Sequence, residues 1–207
     1  YFSSGRRSDD CVGAIMKPLK EAGLLNSTVV FFLSDHGMPL PFAKTQLYHH
    51  STNTPLIVRW SGITEPGSVN DSYMVSAIDL LPTFLSIAGI GYSDNSGPSG
   101  PRGMQGKSFL PVIKGSLKQP LSSAIFKEYN ENSGGVRNPM RGVQTAQYLY
   151  LFNPWSNGKR TMATATNGTA TWKRMLALAP KNETIRKRVD VMRYRSVEEL
   201  YLSLIHI

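Results

Sequence analysis

The 207-residue chain has one cysteine, Cys11, so no internal disulfide can staple it and its stability must come from packing. It has no apolar run approaching the ~18 residues of a membrane helix. No signal peptide, internal repeat or long low-complexity tract is visible. Acids are scarce, 14 against 23 lysines and arginines, for a formal net charge of +9. Much of that excess falls between Thr171 and Arg195, where eight basic residues stand against two acids. Ile185, Val189 and Met192 form an apolar stripe in the same stretch, which predicts a helix packed inward with its basic residues, Arg195 included, facing water. No zinc-ligand spacing, recognition-helix pattern or aromatic-basic motif accompanies the charge, so nucleic acid is not expected as a partner. With 41% hydrophobic residues the chain can bury a core. Cys11 shares a helical pattern with Val12, Ile15 and Met16 and is predicted to be a buried structural thiol.

The densest chemistry follows the apolar run Thr28-Val29-Val30-Phe31-Phe32-Leu33, read as a buried strand. Ser34-Asp35-His36-Gly37 sits at its end, where the departing loop of an open α/β sheet is free to shape a pocket. Nine residues after Asp35 comes Lys44, in a loop stiffened by Pro39 and Pro41, and Tyr48, His49 and His50 close the same loop. A carboxylate, an imidazole and a cation so placed suit a metal-assisted anion site, although an ordinary surface turn would show the same short pattern. Asp35 is the natural ligand for a hard divalent cation, and His36 is either a second ligand or a hydrogen-bonding partner of the substrate. Lys44 can neutralise a bound anion without transferring a proton. His49, His50 and Arg141 are candidates for the substrate pocket, with Glu128 and Glu131 weaker ones. Arg141 can equally pair within a sheet.

A longer order of segments surrounds this motif. Asp9-Asp10-Cys11-Val12-Gly13 opens a helix, and Thr54-Pro55-Leu56-Ile57-Val58-Arg59-Trp60 reads as a second buried strand. Ile78-Asp79-Leu80-Leu81-Pro82-Thr83 begins another helix. Pro139-Met140-Arg141-Gly142-Val143-Gln144, Phe152-Asn153-Pro154-Trp155 and Val197-Glu198-Glu199-Leu200-Tyr201 follow. In this order the segments resemble the later half of a sulfatase, in the alkaline phosphatase superfamily, most closely its heparan N-sulfatase and bacterial arylsulfatase-like branches. The resemblance runs over roughly residues 1 to 201. It implies hydrolysis of a sulfate ester or sulfamate on a small molecule or glycan, in a periplasmic or secreted enzyme. Asp35 and His36 would then be metal ligands, His36 and Lys44 catalytic, and Lys44 in contact with the sulfate. The implied metal is Ca2+, with Mn2+ or Zn2+ open because imidazole suits them better.

The family's nucleophile is a formylglycine made from cysteine in a Cys-x-Pro/Ala-x-Arg context. Cys11 is followed by Val12-Gly13-Ala14-Ile15, so the nucleophile is expected outside these residues and the chain alone is expected to be inactive. A phosphomonoester or phosphodiester hydrolase of the same superfamily, or a basic polyanion-binding module, are the alternatives.

The expected fold is α/β. Residues 1–115 would supply the closing part of an alkaline-phosphatase-like sandwiched sheet, and 116–201 a small α+β subdomain with an antiparallel sheet. Residues 202–207 resemble a non-native tail. In the first part, Asp79 should cap a helix that Gly89 ends, with Leu80, Leu81, Phe84, Leu85 and Ala88 on its core face. Ser93 to Gly106 reads as a loop. In the second, strands are expected at Ala124–Tyr129 and Gly142–Phe152, then helices near Thr171–Ala179 and Thr184–Arg195.

Overall fold

A computed structural model describes residues 2–90, 104–117, 122–131 and 136–202. The chain opens with helix α1 (Phe2–Glu21), followed by strand β1 (Val30–Leu33), the single turn α2 (His49–Thr52) and strand β2 (Leu56–Arg59). Helices α3 (Leu80–Ile87) and α4 (Leu110–Ile113) complete the first part. The second holds strands β3 (Ile125–Glu131), β4 (Arg137–Gln144) and β5 (Tyr148–Phe152), helices α5 (Ala170–Leu178) and α6 (Glu183–Tyr194), and strand β6 (Glu198–Leu202). β1 and β2 form an antiparallel pair, and β3-β4-β5-β6 form an antiparallel sheet in sequential order. The mixed α/β architecture with a C-terminal antiparallel sheet is the one expected.

In the four-stranded sheet, β4 buries Asn138, Met140, Gly142 and Gln144 while alternate residues face outward. The strand expected from Gly142 to Phe152 is two strands, because the Thr145 amide donates to the Tyr148 carbonyl at 2.8 Å and closes a turn. The Thr145 hydroxyl also accepts from the Tyr148 amide at 3.0 Å. That turn resets the side-chain parity, so Leu149 and Leu151 are buried while Tyr148, Tyr150 and Phe152 are exposed. β6 pairs with β5 through Leu202, opposite Tyr148, so the first residue of the expected tail belongs to the sheet. Residues 203–207, like most of the expected loop at Ser93 to Gly106, lie outside the described residues.

Both helices behind the sheet start on side-chain caps. Thr169 accepts from the Trp172 amide at 3.2 Å, and Asn182 accepts from the Ile185 amide at 3.0 Å. Val189 and Met192 of α6 pack with Trp172 of α5, as the apolar stripe predicts. Arg195 departs from expectation. It ends α6 at φ 59 and turns its guanidinium inward rather than into water.

The loop between β1 and α2 belongs to this second core. Leu47 and Tyr48 cluster with Met140, Leu149, Leu151, Trp155 and Met162, and Phe42 packs against both this cluster and the Trp172–Met192 cluster. Tyr48 is the hub of a buried polar chain. Its hydroxyl donates to Glu199 at 2.6 Å and accepts from Arg195 at 2.6 Å, while the Arg195 guanidinium lies 4.9 Å from the Tyr48 ring centre. Arg195 also bonds Gln46, and Glu199 accepts from Asn153 at 2.9 Å and from Tyr201 at 2.5 Å. Burial and the neighbouring carboxylate push the Tyr48 phenol far above its ordinary range, so it remains protonated and able to donate.

The first part is less covered than its apolar sequence suggests. Phe32, Leu33, Leu56 and Ile57 are exposed, so β1 and β2 are not buried strands within this chain. On α3 the buried side chains are Pro82 and Thr83, whereas Leu81 and Phe84 are 54% and 43% exposed, contrary to the expected core face. Polar anchoring explains the rotation. Asp79 accepts from the amides of Ser76 and Lys107, each at 2.8 Å, and the Thr83 hydroxyl accepts from the Phe109 amide at 3.0 Å. Gly89 ends the helix at φ 69, as expected. Cys11 is exposed rather than buried, because the half-buried stripe of α1 is Val12, Met16 and Leu19.

Arg195 and Glu199 are buried charges bridged by the Tyr48 hydroxyl, and removing one strands the other. Arg195→Met and Glu199→Gln should therefore each destabilise the protein by about 3 kcal/mol in urea unfolding, and the double variant should cost clearly less than the sum.

Candidate active site

Leu33 ends β1 and the chain turns outward. The Asp35 carboxylate is well exposed, with Oδ1 accepting from the His36 amide at 2.9 Å and Oδ2 lying 3.1 Å from His36 Nε2. On its other side the ring presents Nδ1 to the Gly37 carbonyl at 2.9 Å. A carbonyl only accepts, so Nδ1 carries a proton there and, in the neutral ring, Nε2 has a lone pair. Two lone-pair atoms at 3.1 Å require something positive between them, either a proton on Nε2 or a cation.

Gly37 draws the candidate residues together. A Cβ added to it would lie 2.2 Å from the carbonyl oxygen of Ala43 and 2.2 Å from that of His50. Only glycine permits this approach, which sets the Asp35–His36 turn against the neighbours of Lys44 on one side and against α2 on the other. The Gly37 amide donates to the Ser51 carbonyl at 3.4 Å.

The intervening loop is held in unusual backbone states, with Phe42 at φ 65 and Thr45 at φ 56 on either side of Lys44. Such conformations persist when surroundings over-determine them. Here the segment between β5 and α5 supplies the constraint: the Ala165 amide donates to the Thr45 hydroxyl at 2.9 Å, and the Thr166 hydroxyl donates to the Leu40 carbonyl at 3.0 Å. Lys44 is thereby presented, half-buried, from a fixed backbone.

On the far side of α2 lies an open cavity of about 750 Å³, lined by His49, Thr52, Lys127 and Gln144 among others. Lys127 projects from β3, donating to the Thr52 hydroxyl at 2.6 Å and to Gln144 Oε1. With its oxygen on the ammonium, Gln144 turns its amide nitrogen to His49 Nδ1, 3.3 Å away. His49 Nδ1 must then accept, which keeps the ring neutral. Burial, with help from Lys127 and His50, likewise holds the His49 pKa below the usual histidine value. Burial pushes the Lys127 ammonium down to about 8.

Of the sequence candidates, Asp35, His36, Lys44 and His50 lie on segments that meet at Gly37, while His49 faces the cavity. Arg141 does not line that cavity. It is on the outward face of β4, donating to Asn130 at 3.0 Å and pairing with Glu128 at 3.8 Å. Glu131 pairs with Arg137 at 3.3 Å. Lys127 and Gln144 escaped the sequence reading, because a lysine and a glutamine on alternating strands carry no motif.

The sulfatase family pattern matches residues 1–90, the stretch containing Asp35, His36 and Lys44. Human N-sulphoglucosamine sulphohydrolase is 34% identical over 160 residues, covering 73% of this chain. The chain belongs to the sulfatase family. It is also 36% identical over 136 residues to goat N-acetylglucosamine-6-sulfatase, covering 63% of this chain. The structure of the protein BT4656, solved with its substrate D-glucosamine-2-N,6-O-disulfate, superposes with a TM-score of 0.55 at 23% identity, over 87% of this chain and 38% of that one. The chain spans 30% of the length of the human relative and 23% of the goat one.

A sulfatase metal would find a partial set of ligands here. Asp35 Oδ2 and His36 Nε2 converge, and the Nδ1 contact with the Gly37 carbonyl fixes the orientation of the ring that would present Nε2 to a metal. Among the described residues no further His, Cys, Asp or Glu joins them in a group of three. The pair fits a metal as part of a larger set.

Gly37→Ala should force the Ala43 and His50 carbonyls apart, lowering stability by about 1 to 3 kcal/mol in thermal unfolding and loosening both loops to proteolysis. The buried Lys127 cation gives a pH signature. Its folded pKa lies below the unfolded value, so its cost is full below about 8 and fades as pH rises toward 10.5. The parent should therefore gain stability relative to Lys127→Met between those limits. The gain should be on the order of 1 kcal/mol, discounted for the solvent that still reaches the ammonium.

Proposed function

We propose that this chain forms part of the active site of a hydrolase of sulfate esters or sulfamates borne on a sugar. The observation carrying this reading is the convergence at Gly37 of the Asp35–His36 pair, the Lys44 loop and the His50 end of α2. The names of the two relatives point to N-linked and 6-O-linked sulfate on glucosamine units, and the disulfated glucosamine bound by the structural neighbour agrees with them.

In this reading Asp35 and His36 hold a divalent metal that supplies Lewis acidity at the sulfate. Calcium favours the carboxylate and manganese or zinc the imidazole. Lys44 directs its ammonium at the nonbridging oxygens, stabilising charge in the bound ester and the transition state from a backbone that does not need to reorganise. The nucleophile is a formylglycine contributed from outside these residues. Cys11 is an exposed thiol on α1 in the wrong sequence context. With two metal donors and no nucleophile among the described residues, this reading makes the isolated chain inactive. A periplasmic or secreted location goes with this reading, and no helix among the described residues is long and apolar enough to cross a membrane.

Asp35→Ala in the intact protein should remove the metal, read by elemental analysis, and abolish turnover of a sulfated glucosamine with the fold retained. Unchanged metal content would sink the ligand assignment. Lys44→Ala should lower kcat/KM by the equivalent of about 2 to 4 kcal/mol, whereas an unaltered value would make Lys44 a solvated loop residue.

A further inference from the structure

The cavity beyond α2 contains a cation for which the reaction gives no use. Lys127 is half-buried, its pKa is lowered by burial, and among the described residues no carboxylate forms an ion pair with it. The Thr52 hydroxyl and Gln144 Oε1, to which it donates, are both neutral. Glu65 and Asp71 reach the cavity wall but are exposed. A partly desolvated ammonium without a counter-ion is costly, and a surface lysine placed here by chance would turn to solvent or to an acid. Instead the sheet holds it in place. Gln144 is buried on β4 directly opposite Ile125 of β3, and it spans Lys127 on one side and neutral His49 on the other.

We infer that the Lys127–Thr52–His49 wall is a second anion subsite, which takes a sulfo or carboxylate substituent of the saccharide other than the group being hydrolysed. Lys127 supplies the charge. The Thr52 hydroxyl, which accepts from Lys127 and itself donates to the Tyr48 carbonyl at 3.2 Å, and Gln144, which reaches His49, hold the ammonium in place. Its third N–H is the donor for the anion beside the His49 ring, whose Nε2 meets the Asn53 side-chain amide at 3.0 Å. The place of the subsite follows from α2: one side of this turn abuts Gly37 and the reaction centre, the other faces the cavity, so a sugar seated across the turn presents two substituents at once. The inference rests on the sulfatase reading and narrows its substrate to saccharides carrying at least two anionic groups.

Two measurements on the intact protein separate this inference from the reading beneath it. First, inorganic sulfate titrated into the parent should shift the His49 ring resonances, assigned through His49→Gln, and Lys127→Met should weaken that response roughly tenfold or more, the effect of one charge-assisted hydrogen bond. Sulfate that leaves His49 unmoved, or moves it equally in Lys127→Met, overturns the subsite whether or not the protein is a sulfatase. Second, the ratio of kcat/KM for a disulfated glucosamine over its monosulfated counterpart should fall about tenfold in Lys127→Met, through KM, and recover partly in Lys127→Arg. A ratio that stays at the parental value overturns the assignment to the substrate's second group. Absence of turnover by the parent on either sugar would refute the sulfatase reading, and the subsite with it as a saccharide site.

Discussion

The buried Tyr48 chain holds the rest of this structure in register. Tyr48 is the last residue of the loop carrying Lys44, and its hydroxyl is held between the cation of Arg195 and the carboxylate of Glu199. These groups come from positions about 150 residues apart in sequence, so the order of the loop depends on the C-terminal sheet and α6 being in place. Inside a low-dielectric core each member of such a chain is costly when unpaired, which makes the arrangement close to all-or-none. Phe42, Gln46 and Leu47 are carried with Tyr48 into the same core, and the positive φ angles beside Lys44 are sustained by that anchoring. The antiparallel sheet thus acts as the clamp of the loop carrying Lys44.

A second consequence concerns α2. Four residues long, it has too few hydrogen bonds to persist alone and is held by what it touches. Gly37 packs on one side and Lys127, through Thr52, on the other. Whatever occupies the cavity is therefore mechanically close to whatever occupies the Asp35–His36 turn. The cationic character of the region is also asymmetric. Lys44 is available from a loop, whereas Lys127 is fixed on a strand between neutral partners.

Much of the local structure of the Asp35–Lys44 segment was legible in the sequence. An apolar run ending in Ser34-Asp35-His36-Gly37 locates a strand end, and Lys44 at its spacing on a proline-bearing loop locates the cation. The helices α5 and α6 formed close to their expected bounds, α6 on the period of its apolar residues. Less was legible where local pattern has two solutions. Gly142 to Phe152 alternates well enough for one long strand, and only the Thr145 turn divides it and moves the parity. Leu81 and Phe84 read as core by spacing alone, yet the polar anchors Asp79 and Thr83 decide which face of α3 turns inward.

What the sequence by itself determined is the chemistry that short range permits: which residues can ligate, neutralise or cap, and which segments have the period of helix or strand. The tertiary structure alone decided who meets whom. Arg195 reads as one more member of a basic helix face until α6 ends in a left-handed residue that aims it at Tyr48. Lys127 reads as a strand lysine until the register of β3 against β4 sets Gln144 beside it and α2 closes over both. The physical reason is the same in each case: the free energy of a charged side chain depends on its solvation and on groups far away in sequence, and neither is encoded in its neighbours along the chain.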